Sequence, residues 1–243
     1  TNVLKGADHD QQIETCAPCH SRRVGIDADY RHGDAFLDSY NPQLLEAGLY
    51  HADGQILDEV YVYGSFVQSR MYHEKVRCSD CHDPHSLKLK FEGNQLCTQC
   101  HQPGKYDSPI HHHHESEKAH AAGATQCVNC HMISRTYMEI DNRRDHSFRI
   151  PRPDLTMEIG TPNACNECHT RKEEDAAWAA EWIVKWYGDE RPDDPHDGRA
   201  LAALRKADPN ARELVETQWQ RKNTPDIVRA SLLRSMAGQM APD

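Results

Sequence analysis

The sequence predicts a mainly α-helical chain with much irregular structure over residues 1–170, followed by a small α-helical appendage over residues 171–243. Three observations predict this. Only 37% of the 243 residues are hydrophobic and 7% aromatic, too few for an ordinary side-chain core in a chain of this length. All ten cysteines fall into copies of one pentapeptide. Helix caps joined to apolar periodicity are concentrated in the last seventy or so residues. The formal charge of -10 argues against a nucleic-acid partner, whose phosphates call for a basic surface. No run approaches the roughly 18–20 apolar residues of a membrane span, so no transmembrane segment is expected. The sequence opens at Thr1 without a signal peptide and reads as a mature or processed chain.

The pentapeptides are Cys16-Ala-Pro-Cys19-His20, Cys78-Ser-Asp-Cys81-His82, Cys97-Thr-Gln-Cys100-His101, Cys127-Val-Asn-Cys130-His131 and Cys165-Asn-Glu-Cys168-His169. A zinc ribbon would pair Cys-x-x-Cys units but has no reason to follow each with His. Cysteines two residues apart rarely bridge each other outside redox motifs, which disfavours a disulfide scaffold. Attachment of c-type haem requires this order: two thiols add across the porphyrin vinyl groups and the next residue sets an imidazole under the iron. The cofactor expectation is five haems c, with Cys16, Cys19, Cys78, Cys81, Cys97, Cys100, Cys127, Cys130, Cys165 and Cys168 as attachment points. His20, His82, His101, His131 and His169 are the proximal iron ligands. The porphyrins then supply the missing apolar interior of a multihaem cytochrome c fold. Covalent haem attachment also places the chain outside the cytoplasm, periplasmic or extracellular.

Low-spin electron-transfer haems need a second axial ligand, usually His, often from a distant part of the sequence. Twelve histidines remain to provide five. His85 lies three residues beyond a proximal His, and His146 stands between the fourth and fifth motifs ahead of a Pro-rich stretch. The internal run His111 to His114 supplies one or two ligands. His73 and His120 occupy similar places ahead of Cys78 and Cys127. His51 stays among the candidates although, like His9, His32 and His196, it reads more simply as a surface or structural imidazole. Met71, Met132 and Met138 read as packing residues.

Along the chain, the motifs are spaced 62, 19, 30 and 38 residues apart, and the 19-residue step reads as a tight haem pair. Leu44-Leu45-Glu46-Ala47-Gly48 resembles a helix end, and residues 59–67 alternate as a short strand or helix start. Pro151, Pro153 and Pro162 predict an extended segment over 149–163. Thr170-Arg171-Lys172-Glu173 has the form of a capping box, opening a helix that ends near Gly188. Its Trp178, Trp182 and Trp186 form one face, read as a core stripe packed on haem or on the next helix rather than a redox relay. Asp208-Pro209, Thr224-Pro225 and Asp197-Gly198-Arg199 mark further helices near 198–206, 209–222 and 225–239. Their periodicity gives these last residues the makings of a core of their own, in a HEAT/TPR-like arrangement of antiparallel neighbours.

The five motifs, Asp83-Pro84-His85, Cys127-Val-Asn-Cys-His-Met and Asp145-His146-Ser147-Phe148 resemble the multihaem cytochrome c superfamily that includes pentahaem nitrite reductases and octahaem hydroxylamine oxidoreductases. Tyr63-Gly64-Ser65-Phe66, Met71-Tyr72-His73, the His111 to His114 run, Arg149-Ile150-Pro151-Arg152-Pro153-Asp154-Leu155 and Thr161-Pro162-Asn163-Ala164-Cys165 are similar, more narrowly, to doubled-CxxCH cytochromes with C-terminal helical repeats. The resemblance covers roughly residues 11–187. Such relatives carry further motifs upstream of Cys16, so it implies a processed piece, a shorter relative or one borrowing ligands from a neighbouring subunit. Their His cluster is often aromatic at its third place, which favours His111, His112 or His114 over His113 as ligand.

Two functions compete at this stage. In the first, bis-His haems pass electrons along the chain to other redox proteins or to copies of itself, the latter in an extracellular conductive filament. All five motifs end in His, whereas the nitrite reductases mark their catalytic haem with Lys. In the second, one haem with an open distal face, that of Cys16 by preference, reduces or oxidises a small nitrogen or sulfur oxyanion held by Arg22, Arg23, Arg143, Arg144, Lys75 and Tyr72. The first is favoured, which makes the chain an electron carrier rather than an enzyme.

Overall fold

The computed structural model describes residues 8–191 and 194–240; residues 1–7 and 241–243, the outer ends of the two segments expected from sequence, lie outside it. The architecture is helix-rich and irregular, with three two-stranded antiparallel sheets: Arg23–Gly25 with Tyr40–Pro42, His82–Asp83 with Lys88–Leu89, and Ser134–Tyr137 with Asp141–Arg144.

The first helix, His9–His20, begins where the Asp8 carboxylate accepts the Gln11 amide at 2.8 Å and ends on the first motif. Short helical turns also carry the others: Cys78–Cys81, Gln95–Thr98 with Cys97, Cys127–His131 and Cys165–Cys168. Residues three apart on a helix share a face, so the turns Cys78–Cys81, Cys127–His131 and Cys165–Cys168 each present both thiols to one side.

Two local expectations are corrected. Leu44 to Gly48 forms no helix; the chain turns there, with Gly48 at φ 85° and the Tyr50 amide donating to Glu46 O at 3.0 Å. Gly48 serves a tight turn rather than a helix end. The 149–163 segment is not extended throughout, since Pro153–Ile159 is helical. Pro153 occupies the first helical position, where its fixed φ suits a helix, and Gly160 closes it in the left-handed region at φ 76°. Between them, residues 59–67 yield the single helical turn Tyr63–Phe66, and an isolated bridge joins Tyr61 to Ser21.

The C-terminal helices are Ala176–Tyr187, Asp197–Arg205, Ala211–Gln220 and Asp226–Met240. The first begins later than the capping box implied. Asp175 caps it by accepting the Trp178 amide at 2.9 Å, while Glu174 turns to Arg171 and His169. The expectation of a separate core for the last helices is also corrected. Leu201, Leu204, Val215, Val228 and Leu232 share one cluster with Leu45, Tyr50, Ile56, Val60 and Val67 from the long motif-free stretch. Arg205 ties the two parts by donating to Tyr50 O at 3.0 Å and Leu45 O at 2.8 Å, and Ser231 Oγ accepts the Leu45 amide at 3.0 Å. The physical reason is supply: residues 44–67 have large apolar side chains and no motif of their own to pack on, so they and the last helices complete each other.

The Trp face lies outside that cluster. Trp178, Trp182 and Trp186 are half-buried and turn toward the fifth motif and the histidine run rather than toward a following helix.

Candidate haem sites

Three motif imidazoles are each faced by a histidine from elsewhere in the chain. His82 faces His146 at 6.3 Å between ring centroids with 26° between planes. His131 faces His111 at 6.0 Å and 15°, and His169 faces His114 at 6.2 Å and 42°. Direct ring stacking is much tighter, as where His113 lies on Trp186 at 4.3 Å. Two imidazoles sharing one metal through bonds of about 2 Å, with each centroid about 1 Å behind its nitrogen, sit about 6 Å apart. The donor set of each motif, two thiols and an imidazole, together with these spacings fits haem c.

Neighbouring groups orient the rings. His131 Nδ1 is bonded to Arg149 O at 2.7 Å and His146 Nδ1 to Arg144 O at 2.9 Å. His114 Nδ1 is bonded to His112 O, and His169 Nδ1 lies 3.3 Å from the Glu174 carboxylate. An Nδ1 engaged this way leaves Nε2 free as a metal ligand and fixes the ring plane. Burial holds the pKa values of His82, His111, His131 and His146 below the usual imidazole range, keeping them in the neutral form that binds metal.

The segment 144–149 connects two of these sites. Asp145, 2% exposed, accepts the Ile56 amide through Oδ2 at 2.9 Å, and through Oδ1 the Ser147 amide at 2.8 Å and hydroxyl at 2.6 Å. Arg149 donates to Ser147 Oγ at 3.0 Å and to Gln68 Oε1 at 2.7 Å. This one stretch therefore positions His146 opposite the second motif and holds His131 of the fourth.

Successive motifs are also close in space. The Cys16 and Cys78 thiols lie close enough to shift each other, Cys16 down to about 7 and Cys78 up. The Cys97 and Cys127 thiols do the same, lowering Cys97 and raising Cys127. Cys100 lies within electrostatic range of Cys81, and Cys130 of Cys165. The spatial order of the motifs follows their order in sequence.

The other candidate ligands lie apart. None of His51, His73, His85, His112 and His120 makes ring contact with a motif histidine among the described residues. His85 and His120 are exposed. His73 lines a cavity of about 590 Å³ that also reaches His131, with Arg70, Arg149 and Arg229 interleaved with Asp145 and Asp226. His101 contacts Tyr106 at 5.6 Å. His196 caps the helix Asp197–Arg205, its Nδ1 accepting the Gly198 amide at 3.0 Å. His9, read from sequence as surface or structural, is buried with Nδ1 on Asp10 at 2.7 Å.

The cations named for an oxyanion site do not converge. Arg143 pairs with Asp141 at 2.5 Å, and Lys75 with Asp10 at 3.1 Å. Arg22 donates to Glu59 O at 2.9 Å, and Arg23 lies 4.6 Å over the Tyr40 ring. Arg144 donates to Val128 O and Met132 O, both at 3.0 Å, and to Asn129 Oδ1 at 2.8 Å, so it braces the fourth motif. Sequence reasoning missed this bracing and the ring-holding carbonyls, because backbone acceptors leave no residue-type signal.

The five Cys-x-x-Cys-His motifs and the fold around them are like those of a multihaem c-type cytochrome. Residues 72–106, which hold the second and third motifs, match a family model described as a doubled CXXCH motif. Among solved structures, the chain is similar to the outer cell wall cytochrome OcwA, with 15% identity and a TM-score of 0.54 over 93% of this chain and 64% of that one. The likeness is one of fold, and this chain spans just under two thirds of that cytochrome's length. No curated protein matches it. Among the described residues, no helix is long and apolar enough to cross a membrane.

Proposed function

We propose that this chain is an electron-transfer cytochrome carrying five covalent haems c in motif order, the second, fourth and fifth with the axial pairs His82/His146, His131/His111 and His169/His114. The observation that carries the reading is the set of three imidazole pairs at 6.0–6.3 Å, each joining a motif to a distant histidine. Bound haem c supplies one-electron redox chemistry. The chain's own residues would hold that group: the thiols would anchor it, the paired imidazoles would ligate it, and the carbonyls of Arg144 and Arg149 orient the His146 and His131 rings. With a histidine on both faces, a haem at these three motifs would have no open position for a substrate. The close succession of motifs supports electron passage along the chain. Its partners are other redox proteins or further copies of itself, met outside the cytoplasm, where haem c is attached.

Intact mass of the purified holoprotein tests the count, with five added haems expected. Magnetic circular dichroism and electron paramagnetic resonance of the ferric protein test the ligation, with low-spin bis-His signals expected. A high-spin signal that shifts with nitrite, hydroxylamine or cyanide would overturn the purely conducting reading in favour of oxyanion chemistry.

A further inference from the structure

The four-residue run His111 to His114 faces two different motifs, which requires its backbone to be held in one shape. The helix Pro109–His112 ends on His113, which adopts the left-handed region at φ 55°, ψ 25°, a conformation that a bulky side chain rarely takes without support. That turn sends His111 toward His131 and His114 toward His169.

The support comes from the end of the helix Ala176–Tyr187. The His113 ring lies flat on Trp186, 4.3 Å between centroids and 9° between planes. His113 Nε2 is buried without a hydrogen-bond partner, and the ring is held by its stacking on Trp186. The neighbouring Tyr187 donates its hydroxyl to His111 O and sets its ring 5.6 Å from His113 and 6.3 Å from His111. Two turns back on the same helix, Trp178 packs on His169 itself at 4.7 Å. The helix therefore touches the histidine run and the fifth motif at once, through Trp faces that the apolar core does not use.

We propose that Trp186 and Tyr187 are positioning residues that clamp the His111–His114 turn, so that the distal ligands of the fourth and fifth haems are set by one contact and change together. The inference rests on the axial pairs proposed above. Loss of the flat Trp186 ring frees His113 from its left-handed turn, and the imidazoles on either side of it lose their alignment.

The test uses the full holoprotein and counts low-spin ferric haems by near-infrared magnetic circular dichroism and electron paramagnetic resonance, with reduction potentials from spectroelectrochemical titration. Trp186→Leu keeps apolar volume but removes the flat ring. Trp186→Phe keeps a smaller ring, and Tyr187→Phe removes only the hydroxyl. Trp219→Ala is the matched control, since Trp219 is exposed on the helix Ala211–Gln220, away from the run and from Trp186. His111→Ala and His114→Ala each should remove one bis-His signal; if either leaves the count intact, the axial pairing fails before the clamp is in question. With the pairing established, Trp186→Leu is expected to perturb two haems together, Trp186→Phe to restore them and Trp219→Ala to leave them unchanged. Perturbation of only one haem, or of none, in Trp186→Leu would overturn the clamp.

Discussion

The imidazoles of His82 and His146 face each other at 6.3 Å although two further motifs separate them in the chain. His146 is half-buried, with Nδ1 on Arg144 O and its ring facing that of His82. Replacing it by Ala should convert one haem from low-spin bis-His to a high-spin or water-ligated form and raise its potential, leaving the other low-spin signals in place. An unchanged low-spin count in His146→Ala would sink the pairing.

Asp145 bears a different load. Its carboxylate accepts three hydrogen bonds from Ile56 and Ser147 in a buried setting. Hydrogen bonds to a charged group contribute about 1.5–3 kcal/mol each, and losing the acceptor leaves buried donors unpaired. Asp145→Ala should lower stability by about 3 kcal/mol and disturb the second and fourth haems together, read as a drop in denaturant midpoint with altered near-infrared bands.

Gly198 reports on how the C-terminal helices dock. A Cβ there would come within 2.7 Å of the Asp53 Cα, a backbone atom with little room to yield. Overpacking of this kind costs about 1–3 kcal/mol. Gly198→Ala should therefore lower the melting temperature of the whole holoprotein in one transition. A separate, earlier transition would instead indicate that the last helices unfold independently.

Acid sensitivity should concentrate at Arg152. Arg152, 6% exposed, bonds to Asp154 at 2.7 Å and Asp194 at 2.9 Å. Burial pulls both carboxyls upward, but the Arg152 guanidinium, joined at Asp194 by that of Arg199, outweighs it and holds their pKa values below the usual carboxylate range. A folded pKa below the unfolded value of about 3.9 stabilises the protein above that pH, and the contribution is lost as pH falls through the lowered folded values. Melting temperature should thus fall with pH below about 4. Asp154→Asn should flatten that fall while lowering stability at pH 7.

Much of the fold and of the candidate site was legible in the sequence, unevenly and for identifiable reasons. Asp197, Pro209 and Pro225 place the last three helices within a residue or two, because caps and prolines act on their own neighbours, whereas Thr170–Glu173 points to too early a start for the helix that Asp175 caps. The Pro153–Ile159 helix is hidden in the sequence because three nearby prolines point to an extended chain, although Pro153 starts a helix. The shared core of Leu45, Tyr50 and Leu232 was illegible because each half looks like the edge of its own segment.

The sequence by itself determined where the five Cys-x-x-Cys-His motifs stand and which histidines follow them, because that chemistry is written in adjacent residues. It also supplied a surplus of other histidines without saying where each would point. Only the tertiary structure decided that His146, His111 and His114 face motif imidazoles while His85 and His120 lie exposed. The physical reason is that a ring's direction depends on what holds its far nitrogen and its backbone. Here those holds are the carbonyls of Arg144, Arg149 and His112 and the flat face of Trp186, brought in by folding from distant or unremarkable positions.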